Sequence, residues 1–297
     1  MAALMLVSRD IEGGMKWVRE NREDPDIKKL AEKVKKEFAG NEVKGRTLGV
    51  IGLGAIGVEV ANIAAELGME VYGYDPYMSL NSAWHLTRKA HICDDILDIY
   101  NNADFITLHI PSNESTKGII SNESITRMKD GVKILNFARA ALINEDDMDL
   151  ALKKGKVAAF ITDFPTKKTV KMKNTTVFPH LGASTKEAED NSAAMAVEEV
   201  QDYLDNGNIR NSVNFPTIDA GVCTSISRIA VLHENVPKML GMITKAMGDA
   251  DINIDNLLNK SARNYAYTLM DLGSYPNAEA FENLKKIKGV VRVRRVK

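Results

Sequence analysis

Gly45-Arg46-Thr47-Leu48-Gly49-Val50-Ile51-Gly52-Leu53-Gly54-Ala55-Ile56-Gly57 is the stretch on which the reading of this chain turns, and it leads on to an acid at Asp75. Thr47 to Ile51 is an apolar run of strand type. Gly52, Gly54 and Gly57 follow at G-x-G-x-x-G spacing. Val58 to Leu67 then reads as a helix with Val60, Ile63, Ala64 and Leu67 on one face, and Met69 to Tyr74 as a second apolar strand. Each glycine has a physical role. Gly52 allows the tight turn, Gly54 lets backbone approach a pyrophosphate, and Gly57 lets helix and strand pack closely. The helix start, with Ala55 and Ile56, offers unpaired N–H groups and a positive dipole end to phosphates. Asp75 can accept hydrogen bonds from both adenosine ribose hydroxyls, and a 2′-phosphate would face its carboxylate. The stretch therefore predicts a dinucleotide site that prefers NAD to NADP. A lone glycine motif would mark only a turn; the strand before it, the helix after it and the acid beyond supply the context the motif needs.

Outward from this unit, the chain has 297 residues, enough for two domains of roughly 100–200 residues each. Its net charge of −1 gives no electrostatic case for nucleic acid. Cys93 and Cys223 have neither metal nor redox spacing and read as free thiols of a reducing compartment. No metal site is expected. No apolar run is long enough for a membrane span and no signal peptide is visible, so the expected location is cytoplasmic.

Ala2 to Val18 reads as one helix weakened at Gly13-Gly14, and Glu20 to Phe38 as a charged, solvated helix. A chain that opens inside an apolar helix leads to the expectation that something normally precedes it. Beyond Asp75, strands are predicted at Asp104–Ile110, Val132–Phe137, Val157–Thr162 and Thr175–Phe178. Helices are predicted at Asp94–Tyr100, Ser121–Met128, Asn144–Lys154 (with Asn144 as N-cap) and Thr185–Leu204. Strands alternating with helices predict a Rossmann-type doubly wound parallel sheet, an α/β fold whose ligands bind at the C-terminal strand ends. Asp75, His109, Arg139, Asp163 and His180 all stand at such ends. Residues 206–225 read as a linker. The remainder, 226–297, has the order βαββαβ of a small ferredoxin-like α+β domain. The expected division is thus 1–205, 206–225 and 226–297.

His180, after Pro179, can serve as a general acid/base, although alone it reads as readily as a capping or packing histidine. Arg139 can hold a carboxylate in a bidentate pair, or can be a surface ion-pair partner. On neighbouring strand ends beside a dinucleotide motif, the two together imply hydride transfer to or from a carboxylate-bearing small molecule.

Asn136-Phe137-Ala138-Arg139, Asn144-Glu145-Asp146-Asp147, Pro179-His180-Leu181-Gly182-Ala183-Ser184-Thr185 and Asn206-Gly207-Asn208-Ile209…Ser212-Val213-Asn214-Phe215-Pro216 resemble the NAD-dependent D-2-hydroxyacid dehydrogenases, in particular the branch that oxidises 3-phospho-D-glycerate to 3-phosphooxypyruvate for L-serine synthesis. The terminal module resembles an ACT domain through His233-Glu234-Asn235-Val236-Pro237 and Asp251-Ile252-Asn253-Ile254. The resemblance implies a phosphorylated 2-hydroxy acid as substrate, with Arg139 on its carboxylate and C2 oxygen and His180 taking the hydroxyl proton. It implies NAD held by Gly52, Gly54, Ala55, Ile56, Gly57 and Asp75, with His109, Pro111, Gly182 and Ala183 alongside. Phe137 and Ala138 would line the nicotinamide ribose and Asp163 would take the carboxamide, with Arg139 and His180 reaching the same ring. It implies a homodimer or homotetramer, and L-serine bound by His233, Asn235 and Asn253 across a subunit interface. Three departures accompany the resemblance, the smallest being Arg139-Ala140 where the family commonly has Arg-Gly. The family carries an N-terminal half-domain ahead of the helix that opens this chain. It also places a Glu shortly after the Asp-x-Pro segment, where this chain reads Thr166-Lys167-Lys168, with no acid between Asp163 and His180. Another D-2-hydroxy acid, or an NAD-binding and amino-acid-sensing role without turnover, stays open at this point.

Overall fold

Thr47–Ile51 forms β1, fully buried, and the next strands in the chain are β2 (Glu70–Tyr74), β3 (Ala90–Ile92), β4 (Phe105–Leu108), β5 (Val132–Asn136), β6 (Val157–Thr162) and β7 (Thr175–Val177). The computed structural model describes all residues from Met1 to Lys297. The seven strands make one sheet in the order β3-β2-β1-β4-β5-β6-β7, every pair parallel. The order reverses direction between β1 and β4, which opens a crevice at the carboxyl ends.

Alternation along the strands builds two cores. Leu48, Val50, Phe105, Leu135 and Ile161 face one side, against α1 (Ala2–Ser8) and α4 (Ala55–Glu66). Ile51, Ile106, Leu108, Ile134 and Phe160 face the other, against α6 (Ile96–Asn102), α7 (Asn122–Arg127) and α8 (Glu145–Lys154). A parallel sheet buried on both faces explains why these strands read as continuous apolar runs. Lys133 is an exception within β5. Buried among apolar groups, it donates its Nζ to the carbonyl of Val7 at 2.8 Å, at the C-terminal end of α1, where a cation is favoured. Burial lowers its pKa.

The N-terminal region departs from expectation. In place of one helix over 2–18 there are two, α1 and α2 (Ile11–Glu20), because Arg9 is extended and Asp10 caps the second by accepting from the Gly13 N–H at 2.8 Å. In place of a charged helix over 20–38 there is a short α3 (Ile27–Val34) followed by a 3-10 turn. The stretch 83–91, which shows no clear period, is divided between α5 (Leu80–His85) and β3. Asn144 does cap α8, accepting from the N–H groups of Asp146 and Asp147.

The chain packs as two units, Met1–Gly182 and Ala183–Lys297. The second holds α9 (Lys186–Asn206), β8 (Ser227–Glu234), α10 (Met239–Gly248), β9 (Ile254–Ala262), β10 (Tyr265–Leu272), α11 (Ala278–Lys286) and β11 (Val290–Arg295). Its four strands form an antiparallel sheet in the order β11-β8-β10-β9, the βαββαβ arrangement expected of a ferredoxin-like module. Residues 183–205 fall within the second unit, whereas the sequence pattern groups them with the first domain; α9 has no buried residue and joins the second sheet at its C-terminal end. Two arginines of that sheet make the junction. Fully buried Arg228 grips both oxygens of Asp271 and donates to the carbonyls of Asn206, Ala220 and Gly221. Arg294 donates to Tyr203 and Leu204 carbonyls at the end of α9. No helix is long and apolar enough to cross a membrane.

Candidate active site

Every chemically interesting residue of the first unit follows a strand end on the same edge of the sheet. Gly52 follows β1, Asp75 follows β2, His109 follows β4, Arg139 lies just past β5, Asp163 follows β6 and His180 lies just past β7. With strands about 4.8 Å apart, the line from β2 to β7 spans about 24 Å, with the glycine turn next to the switch point.

The glycine turn is built as the motif demands. Gly52 has φ +95°, and a Cβ there would lie 2.5 Å from the His109 carbonyl oxygen. A Cβ on Gly57 would lie 1.9 Å from the carbonyl oxygen of Gly52, so helix α4 can start this close to β1 only through glycine. Around Gly54, the N-cap of α4, a Cβ would meet nothing within 4 Å, which leaves the backbone open to a ligand. Ala55 and Ile56 are exposed beside it. Asp75 accepts the Leu53 N–H at 2.9 Å on one oxygen and the Tyr77 N–H at 2.8 Å on the other. These bonds lock the carboxylate against the glycine turn, and each oxygen keeps a lone pair for a hydroxyl.

His109 lies over the base of the turn with Nε2 3.0 Å from Thr107 Oγ1, and burial pushes its pKa down to about 4. It is therefore neutral at physiological pH. Pro111 is exposed at the start of the following loop, held through its carbonyl by the Thr116 hydroxyl at 2.7 Å.

Arg139 is exposed, with no acidic partner; its Nη1 donates to the Ala138 carbonyl at 2.6 Å. The turn that presents it is held by Asn136, a buried residue to which the sequence alone gives no role. The Asn136 amide donates to the Arg139 carbonyl at 2.9 Å, and its Oδ1 accepts from the Ala138 N–H at 3.2 Å. A polar residue ending an otherwise apolar strand is the signal that could have found it. Phe137 packs on Phe178 with ring centroids 6.3 Å apart, which joins the loops after β5 and β7.

Asp163 and His180 come together. Asp163 is 3% exposed, and its Oδ2 lies 3.7 Å from Nδ1 of His180, an exposed ring. Phe164 meets that ring edge-on with centroids 5.4 Å apart. Asp163 Oδ1 is buried with no hydrogen-bond partner. An orphaned buried acceptor costs about 1–3 kcal/mol, and a carboxamide N–H₂ from a nicotinamide would satisfy it. The open backbone at Gly54, the locked Asp75 and this orphaned oxygen all fit a bound NAD. Lys168, part of the lysine pair near the histidine in sequence, is turned to Asp146 on α8 at 2.5 Å. Gly182 and Ala183 are exposed where the first unit ends and the second begins.

In the second unit, the three residues expected to hold an amino acid do not meet within one chain. Strand register places His233 opposite Ala266 and Ser261, whereas Asn253 precedes Ile254, opposite Leu272 and Ser227, at the other end of the sheet. His233 is also bonded within its own sheet. It is 2% exposed, with Nδ1 2.8 Å from the Glu234 carbonyl and Nε2 2.8 Å from Thr268 Oγ1, which in turn bonds Asn259. Asn235 and Asn253 are exposed, the first donating to the Arg263 carbonyl at 3.4 Å and the second to Asp255 at 2.8 Å.

Comparison with known proteins shows the family. Residues 1–182 match the family model described as D-isomer specific 2-hydroxyacid dehydrogenase, NAD binding domain. The chain is 30% identical over 271 residues to the D-3-phosphoglycerate dehydrogenase of Haemophilus influenzae, covering 88% of this chain and 65% of that one. It is 36% identical over 225 residues to the enzyme of the same name from Methanocaldococcus jannaschii, covering 74% and 42%. It therefore spans between about two fifths and two thirds of the length of these relatives. Among solved structures, D-mandelate dehydrogenase of Rhodotorula graminis superposes with a TM-score of 0.61 at 24% identity, covering 74% of this chain and 63% of that one, a likeness of fold.

Proposed function

The chain belongs to the D-isomer specific 2-hydroxyacid dehydrogenases, its first unit being their NAD-binding domain, and from that membership we propose that it serves the oxidation of 3-phospho-D-glycerate to 3-phosphooxypyruvate. The observation that carries the reading is the joint placement of unpaired Arg139 and the Asp163–His180 pair on the edge that holds the glycine turn. The names of the relatives support the choice of acid. When bound, NAD supplies the hydride acceptor at its nicotinamide ring. Arg139 has no carboxylate of its own to neutralise, so its guanidinium is free to grip the substrate carboxylate and polarise the C2 oxygen. His180 takes the C2 hydroxyl proton on an imidazole nitrogen as the C–H bond breaks. Asp163 Oδ1 accepts from the carboxamide, Phe137 and Ala138 flank the ribose, and Asp75 receives the adenosine hydroxyls.

The second unit acts as an ACT module that pairs edge to edge with its copy in a homodimer or homotetramer. Because Asn235 and Asn253 lie at opposite ends of one sheet, an L-serine held by both must lie between one copy's Asn235 and another copy's Asn253. The buried, unpaired cysteines fit a reducing, cytoplasmic setting.

The deciding assay follows NADH formation by the full chain with 3-phosphoglycerate, D-lactate, D-mandelate and D-glycerate. Turnover of the phosphorylated acid well above the others is expected. Preference for an unphosphorylated acid would transfer the protein to another branch of the family, and cofactor binding without turnover of any acid would leave it a sensor.

A further inference from the structure

Asp163 is the first residue after β6, buried, with neither of its oxygens in a hydrogen bond to the protein; such a carboxylate is stable only if donors come from elsewhere. One donor is in view. His180 Nδ1 lies 3.7 Å from Oδ2, and no other acid lies within ion-pair distance of that ring. The segment between them is held. Thr169, itself buried, donates to the Phe164 carbonyl at 3.2 Å and accepts from the Thr166 N–H at 2.8 Å, which fixes Phe164 against the histidine. Lys168 is bonded to Asp146 on α8.

We propose that Asp163 is the positioning residue of His180, accepting from Nδ1–H and so holding the ring in the tautomer whose Nε2 lone pair is bare. The inference rests on His180 being the proton acceptor of the reaction described above. Asp163 divides its two oxygens. Oδ2 serves the imidazole and Oδ1 remains for the cofactor carboxamide, so one buried acid couples base orientation to cofactor seating. At 3.7 Å the pair is too long for a hydrogen bond, but the exposed ring needs only a small turn, and catalytic contacts commonly tighten in the substrate complex. During turnover the hydroxyl O–H bond breaks and an N–H bond forms at Nε2. The C2–H bond breaks with its electron pair passing to NAD, which is reduced as the alcohol becomes a ketone. The Asp163 carboxylate stabilises the imidazolium.

The test is the tautomer of His180 in the full chain without cofactor. Nitrogen-15 histidine labelling and long-range proton–nitrogen spectra report it at alkaline pH, with His180→Gln identifying the signals among five histidines. The expected wild-type ring carries hydrogen on Nδ1. Asp163→Asn, whose amide donates to Nδ1, moves the hydrogen to Nε2, and Asp163→Glu restores the wild-type form. In turnover, Asp163→Asn lowers kcat about 10²–10⁴-fold with little change in the KM for the acid. A wild-type ring with hydrogen on Nε2, or identical tautomers in wild type and Asp163→Asn, would overturn the proposal, and the wild-type spectrum decides even if the variant fails to fold. An Nδ1–H ring in a chain that turns over no 3-phosphoglycerate supports the pair and sinks the assigned reaction, so the two failures are distinguishable.

Discussion

At the scale of single residues, Arg139 and His180 are both exposed, and neither supports a core. Their removal should therefore cost chemistry and leave folding intact. Arg139→Ala and His180→Ala are each expected to lower kcat/KM for 3-phosphoglycerate by about 10²–10⁴-fold with NADH affinity unchanged within a factor of about two, measured by calorimetric titration beside initial rates. Arg139→Lys should recover little, because an ammonium cannot grip a carboxylate with two parallel bonds. Asp75 allows a separate measurement. Its carboxylate is pinned by two backbone N–H groups and cannot swing away from a 2′-phosphate. Like charges forced together cost several kcal/mol, so NADH should bind at least about 10²-fold more tightly than NADPH, and Asp75→Ser should close most of that gap. Equal affinities in the wild type would remove Asp75 from the ribose. The strand-end places of these residues were legible because each follows an apolar run beside a companion motif. Asn136 was not, since a buried asparagine reveals its bonds to a turn only once the turn exists. The burial of His233 was not legible either, since a place inside a sheet cannot be told from exposure at its end in a one-residue window.

Among the elements, the legible ones are those with unbroken periodicity. Thr47–Ile51 and Val157–Thr162 begin and end where the apolar run does, because a buried strand needs little beyond it. The helix of residues 2–18 failed on a local detail. Asp10 offered its side chain to the Gly13 N–H and so started a new helix, a competition between side-chain and main-chain bonding that periodicity does not register. The α8 cap was legible because asparagine followed by three acids is a strong start signal. Asn144→Ala should destabilise the first unit by about 1 kcal/mol in urea unfolding, with unchanged turnover. The tie between the end of α9 and the second sheet was beyond sequence reading, because it depends on Arg228 reaching the Asn206 carbonyl and Arg294 reaching those of Tyr203 and Leu204. Arg228→Ala strands the Asp271 carboxylate and the carbonyls bonded to that guanidinium, and the expected loss is about 3–5 kcal/mol in the second unit, seen as an early unfolding step. A loss below about 1 kcal/mol would show that α9 is anchored by other means.

For the molecule as a whole, pH should act on stability through His109, and a small amino acid should act through the second unit. Burial holds the His109 pKa near 4 in the folded chain against about 6.5 when unfolded. Below pH 6.5 the unfolded chain therefore binds a proton that the folded one does not, and stability falls as pH drops from about 6.5 towards 4. The loss is at most about 3 kcal/mol, and His109→Gln should flatten the urea midpoint over that range. The regulatory prediction follows from sheet geometry. With Asn235 and Asn253 at opposite ends of one four-stranded sheet, a single chain offers an amino acid only half a site, an exposed amide with no second arm. A two-fold pairing of sheets brings one copy's Asn235 towards the other copy's Asn253, and such a site takes both the carboxylate and the ammonium of a small amino acid. Serine affinity must then depend on protein concentration through the dimer, and serine must in turn tighten the dimer by the same factor. Sedimentation of the full chain with and without L-serine measures the second, and calorimetry at two protein concentrations the first. Asn235→Ala and Asn253→Ala should each abolish the linkage. Mixing the two variants should restore one site in a heterodimer, since each chain keeps the arm the other lacks. If serine gives no heat and leaves sedimentation unchanged, or if the mixture recovers nothing, the sheet pairs without a ligand and Asn235 and Asn253 serve only the turns they occupy.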